Sequence, residues 1–251
     1  MKTLLAVFLT AVLSAGPAFA GEPAPCDVPA YLVIGDTPLK RVMEAAKQVK
    51  RLDIVVVGTG SSTLGGADGA AKAYPARLQA ALQQVLPGVA VTVKSYAKSR
   101  QSAAEMLGTF DKLPVDGVPS LVVWQTGTVD AMRGLDAEEF RSVIDKGIEA
   151  LQARGADVVL MNMQYSPRTE TMIQFDPYAD AMRAVALERE VPLFDRLNLM
   201  RYWNDTGAFD LYSATKDNAL ASRVHDCLGR ALALLVVEAA HLEKSEPKTS
   251  Q

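Results

Sequence analysis

The sequence predicts an α/β fold built on a parallel sheet, and three observations point there. Short β-rich apolar runs alternate along the chain with longer helical stretches, the order expected when helices pack on a parallel sheet. Several of those runs are near-continuous Val, Leu and Ile rather than alternating, as strands covered on both faces require. No internal repeat and no linker rich in Pro, Gly or Ser divides the 251 residues, so they read as one domain.

Five strands are expected, at 53–58 (DIVVVG), 89–94 (VAVTVK), 120–125 (SLVVWQ), 156–162 (ADVVLMN) and 191–194 (VPLF). Helices are expected between and after them, at 74–85, 102–107, 137–153, 178–189 and 217–240. The third helix places Phe140, Val143, Ile144, Ile148 and Leu151 at the i, i+3, i+4 spacing of a one-sided core helix. Gly88, Gly155 and the Val191-Pro192 pair stand where helices should stop. Residues 31–50 read as partly helical, with no assigned place in the sheet.

Composition narrows the function classes. With 49% hydrophobic and 22% charged residues the chain is globular rather than disordered, collagen-like or coiled-coil, and a net charge of −3 gives no electrostatic reason to bind nucleic acid. The N-terminus has Lys2, then an apolar run over 4–13, then Ala18-Phe19-Ala20, the order of a secretory signal peptide covering 1–20. Ser14, Gly16 and Pro17 interrupt that run before the ~20 apolar residues of a membrane span. The mature domain is expected over 21–243 and a disordered polar tail over 244–251, with a periplasmic or secreted location. Outside the cytoplasm Cys26 and Cys227, the only two cysteines, are expected to form a disulfide. With two histidines besides, a zinc site would need mostly carboxylate ligands, so no metal is expected.

Ligands of a parallel α/β sheet bind beyond the carboxyl ends of its strands. The loop after the first strand reads Gly58-Thr59-Gly60-Ser61-Ser62-Thr63-Leu64-Gly65-Gly66. A dinucleotide loop would need Gly where Thr63 stands and a phosphate loop would need a Lys that is absent, so no cofactor is expected. A nucleophilic serine on a tight strand-to-helix turn is the other reading, with the serine's own N–H helping to hold an oxyanion. Capping of the loop's backbone by Ser61 or Ser62 is the plainer alternative.

The spacing to Thr63 and Gly65 resembles the G-D-S-x-T-x-G block of the SGNH or GDSL hydrolase superfamily, with Ser61 at the nucleophile and Ser62 as the other register. Tyr74-Pro75-Ala76-Arg77-Leu78 is similar to the start of that family's first helix, and Gly127-Thr128-Val129-Asp130 to its G-x-N-D block. Val129 stands where active relatives carry an oxyanion-donating Asn, and Arg100 where they place a Gly. The resemblance implies a three-layer α/β/α domain with a five-stranded parallel sheet, flavodoxin-like in outline. It implies an ester hydrolase acting on an acyl ester of a small molecule or carbohydrate. Ser61 and His225 are then the catalytic candidates, and Gly60, Arg100 and Asp130 the oxyanion or substrate-binding ones.

The family's D-x-x-H block is not intact: Ser222 lies three before His225, while Asp217-Asn218-Ala219-Leu220 puts Leu at the His position. Asp217 lies eight residues before His225, which in a helix is about 12 Å of rise, too far to orient that ring. A catalytically degenerate relative that binds a carbohydrate or acylated ligand through Arg100 and Asp130 is the alternative function. The polar loop from Asn162 to Pro167, at the same edge of the sheet, reads either as pocket lining or as a connector.

Overall fold

The computed structural model describes residues 26–33, 36–113, 117–213 and 217–242. The expected signal peptide at 1–20 and tail at 244–251 lie outside the described residues. Five parallel strands, β1 (Arg51–Gly58), β2 (Ala90–Ala97), β3 (Leu121–Gln125), β4 (Asp157–Met161) and β5 (Leu193–Phe194), form one sheet in the order β2-β1-β3-β4-β5. The helices are α1 (Lys40–Glu44), α2 (Gly69–Lys72), α3 (Tyr74–Val85), α4 (Ala103–Phe110), α5 (Thr128–Arg133), α6 (Ala137–Ala153), α7 (Pro167–Glu170), α8 (Asp176–Glu188), α9 (Arg196–Asp205) and α10 (Ala219–Ala239). A π-helical turn over Ala45–Val49 continues α1 into Lys50, so the ambiguous 31–50 stretch is a helical lead-in to β1.

Burial explains why these residues make strands. All five residues of β3 and the Ile54–Gly58 half of β1 are buried, because both lie inside the sheet with helices on each side. α3 packs against α10 and β2, whereas α4, α6 and α8 pack on one another along the other face, giving three layers. β2 is an edge strand with four of its eight residues exposed, which is why its sequence alternates. Two glutamines of α3 cover its backbone: the Val93 N–H donates to Gln79 Oε1 at 2.8 Å, and Gln83 Nε2 donates to the Val91 carbonyl at 3.2 Å.

α3 and α6 span the residues expected of them, and the other expected helices shift by a few residues at their ends. α9 was not anticipated. It starts on Asp195, whose carboxylate accepts the Asn198 N–H, and buries Leu197, Met200 and Trp203. Gly229 lets α10 lie directly on α3: a Cβ there would sit 2.5 Å from Arg77 Cβ and 2.8 Å from the Leu78 nitrogen. Cys26 and Cys227 form a disulfide with Cα atoms 5.0 Å apart, tying the start of the described chain to α10. Among the described residues no helix is long and apolar enough to cross a membrane.

Candidate active site

The sheet order reverses between β1 and β3, so the crevice at their carboxyl ends is where a ligand site should form. The chain leaves β1 through Thr59 and turns in a single 3-10 turn over Gly60–Ser62. Gly58 is required there, since a Cβ would meet Ser62 Oγ at 2.2 Å. Beneath the turn lies Gln125, the last residue of β3 and fully buried. Its Oε1 accepts the Thr59 N–H at 3.0 Å, and the hydroxyls of Thr59, Ser61 and Ser62 gather around the same oxygen at 3.2, 3.2 and 2.8 Å. A carbonyl oxygen has two lone pairs, so the hydroxyls compete for the position left by the N–H.

That competition separates the two serines. Ser62 is 1% exposed and is also bonded to the Tyr74 hydroxyl at 2.9 Å, so it ties the turn to α3. Ser61 is half-buried, shares its Oγ with Thr59 Oγ1 at 3.2 Å, and receives a hydrogen bond from Arg196 Nη1 at 3.3 Å.

Arg196 is the first residue of α9 and is 1% exposed. Asn162, at the end of β4 and fully buried, sets its position by donating to Asp195 at 2.7 Å and accepting the Leu197 N–H at 2.9 Å. The Nε and Nη2 atoms of Arg196 are buried with no hydrogen-bond partner, and burial lowers its pKa to about 10. Together with His225, Gln164, Tyr165, Ser166 and apolar residues of α9 and α10, it lines a cleft of about 170 Å³. The Asn162–Pro167 loop therefore lines a pocket.

His225 is 8% exposed on α10, and its Nδ1 accepts the Tyr74 backbone N–H at 3.0 Å. A neutral imidazole that accepts at Nδ1 carries its proton on Nε2, where it is a donor. Burial first, and the Arg196 charge second, lower its pKa to about 4, so the ring is neutral at pH 7. The fold thus places Arg196 against Ser61 and in one cleft with His225, and Tyr74 links the turn to α10 through its hydroxyl on Ser62 and its N–H on His225. Burial raises the pKa of that phenol to about 12. The base role expected of His225 conflicts with this tautomer.

The other expected residues make none of these hydrogen bonds. Gly60 opens the turn and its carbonyl accepts the Thr63 N–H and hydroxyl. Arg100 is exposed and takes a left-handed backbone with φ of 64°, the conformation that a Gly at this position would supply without strain; its carbonyl accepts from Arg133. Asp130 is 2% exposed, and both its oxygens receive the Ala103 N–H, at 2.9 and 3.2 Å. From α5 it braces the first N–H of α4, and burial pushes its carboxyl up despite that bond. Val129 sits half-buried in α5 with no polar atom to offer an oxyanion. The sequence reading missed Arg196, Gln125 and the two contacts of Tyr74. The Asp195-x-x-Asn198 cap was the available signal for α9, but nothing local marks its first arginine as buried.

Solved structures share this fold. TesA superposes with a TM-score of 0.57 at 20% identity, over 74% of this chain and 99% of its own. Axe2, an acetylxylan esterase from Geobacillus stearothermophilus, gives 0.56 at 18% identity, over 76% and 95%. A protein described as lipolytic and of the G-D-S-L family, from Desulfitobacterium hafniense, gives 0.53 at 16%, over 73% and 99%. The fold is that of the SGNH hydrolases. Residues 25–242 match the model of the non-GDSL lipase-like family, and the chain belongs to that family. No curated protein sequence matches it.

Proposed function

We propose that the protein is a serine ester hydrolase of low intrinsic turnover, with Ser61 as nucleophile. The observation that carries this reading is the position of the Ser61 hydroxyl: half-buried, on a tight turn at the carboxyl end of β1, beside the cleft that Arg196 and His225 line. Ser61 Oγ attacks the ester carbonyl carbon. Charge that develops on the carbonyl oxygen faces the Ser61 N–H and the Arg196 guanidinium, in place of the Asn and Gly donors that Val129 and Arg100 replace. The bond to the alcohol breaks, the alcohol leaves with a proton, and water then releases the acid from Ser61.

The slow step is the removal of the Ser61 proton. His225 can accept it only when Nε2 is unprotonated, which places a proton on Nδ1 and breaks the contact with Tyr74. That contact also favours the second reading, a catalytically degenerate protein that binds an acylated ligand in the same cleft. Export to an oxidising compartment is supported by the leader-like N-terminus and the Cys26–Cys227 bond. A carbohydrate as the alcohol is supported by the fold shared with Axe2.

The test is hydrolysis of p-nitrophenyl acetate and of acetylated xylo-oligosaccharide by wild type, Ser61→Ala and Ser62→Ala, with a fluorophosphonate label as a second readout. Weak turnover and labelling, both abolished in Ser61→Ala and retained in a folded Ser62→Ala, is the expected result. A wild type that neither turns over nor labels leaves the binding reading in its place.

A further inference from the structure

We propose that a recess on the outer side of α10, separate from the cleft, binds a dianionic phosphate group carried by a small phosphate monoester. The proposal goes beyond the hydrolase reading and does not depend on it.

The recess has a volume of about 340 Å³, within the range of small-molecule sites, and three of its lining residues are arginines: Arg77 of α3, with Arg223 and Arg230 of α10. Asp226 is the one acidic residue among the described residues that line it, so the wall carries a net charge of +2 in a chain whose net charge is −3. Like charges gathered in one concavity repel each other and focus a positive potential into it. A bound anion relieves that repulsion.

These cations have open surface. Arg77 and Arg230 keep 34% and 63% of their side-chain surface, and Arg223 is exposed. They are also held in place within the chain. Asp226 pairs with two of them, its Oδ1 lying 3.8 Å from Arg77 Nε and its Oδ2 2.7 Å from Arg230 Nη2. Arg223 lies over the ring of Phe209, with its guanidinium carbon 5.3 Å from the ring centre. The base of Arg77 is fixed by the close approach of α10 at Gly229. Guanidinium groups positioned in this way lose less rotamer freedom when a ligand arrives.

The recess is distinct from the cleft. Of α10, the cleft takes Leu220, Ala221, Val224, His225 and Leu228, whereas the recess takes Ser222, Arg223, Asp226, Cys227 and Arg230. At about 100° of rotation per residue the two sets face opposite sides of the helix. The two hollows share no lining residue.

Charge and donors select the ligand. A phosphate monoester brings about −1.5 to −2 at pH 7 in one group, which matches the excess on the wall, and three acceptor oxygens that suit the forked donors of arginine. A single carboxylate brings one charge and two oxygens. Phe209 and the Cys26–Cys227 disulfide supply an uncharged part of the wall, against which the organic part of the ester rests.

The experiment is calorimetric or NMR titration at constant ionic strength with glycerol phosphate, inorganic phosphate, succinate and acetate, on wild type, Ser61→Ala, Arg223→Gln and Arg141→Gln. Glycerol phosphate is expected to bind at least tenfold tighter than succinate, whose two charges sit on separate groups, or acetate. That binding should persist in Ser61→Ala and in Arg141→Gln, which removes a cation from α6, and weaken at least tenfold in Arg223→Gln. Succinate binding as tightly as glycerol phosphate overturns the proposal, as does a lack of saturable binding by either phosphate probe, or undiminished binding in Arg223→Gln. Loss of binding in Ser61→Ala would put the phosphate in the cleft and overturn it as well. Inorganic phosphate binding as tightly as the monoester upholds the anion site and removes the ester from it. If Arg223→Gln fails to fold, the wild-type ranking of the four probes decides. No probe is a carboxylic ester, so failure of the hydrolase reading would leave this result standing.

Discussion

Asp130 and Arg196 are both buried charges near the carboxyl end of the sheet, and the fold treats them in opposite ways. Both oxygens of Asp130 are held by the Ala103 N–H, so the carboxylate supplements the Ser102–Glu105 capping box at the start of α4. Arg196 has one hydrogen bond, to a half-buried serine, and two nitrogens with none. A buried charge that serves the fold is satisfied by the fold. Arg196 is instead kept at a position where its neighbours seal off two of its nitrogens without satisfying them.

His225 extends the comparison to a group that avoids charge, and carries the largest expected effect. Its folded pKa of about 4 lies below the ordinary 6.5, so between those values the unfolded chain binds a proton that the folded chain refuses. Its contribution is complete above pH 6.5 and falls as the pH drops toward 4, by about 3 kcal/mol in all. Urea unfolding measured across that range should show the loss, and His225→Asn, which keeps an acceptor for the Tyr74 N–H and does not titrate, should flatten that part of the profile.

Asp130→Ala comes next. It leaves the Ala103 N–H buried without an acceptor and should cost about 2 kcal/mol, a melting temperature lower by about 4–8 °C. Asp130→Asn, which retains one acceptor oxygen, should lose less. The smallest effect on stability is expected at Arg196: removing an unpaired buried cation in Arg196→Met should leave the melting temperature unchanged or raise stability by about 1 kcal/mol. A large loss of stability there would show that Arg196 is a structural residue like Asp130.

The parts of the molecule visible in the sequence are those where local pattern and environment agree. Apolar runs covered on both faces gave β1, β3 and β4, and 3.6-residue periodicity gave α3 and α6, whose ends are fixed by Pro75 and Asp136. The turn carrying Ser61 was visible because glycines and serines cluster there. What chooses between Ser61 and Ser62 was not visible, because it depends on Gln125 and Tyr74, one from the next buried strand and one across the turn. Arg196 was invisible for the same reason. Only the β4–α9 junction held by Asn162 makes Arg196 part of the buried wall of a cleft.

The two glutamines of α3 that reach over β2 have a consequence for how copies of this chain behave in concentrated solution. A sheet edge with free backbone groups is a template on which another molecule can add a strand. Gln79 and Gln83 occupy the Val93 N–H and the Val91 carbonyl. An incoming strand would have to displace both amides before it gained its first ladder bonds, so this edge discourages aggregation by occupation of its backbone rather than by charge alone.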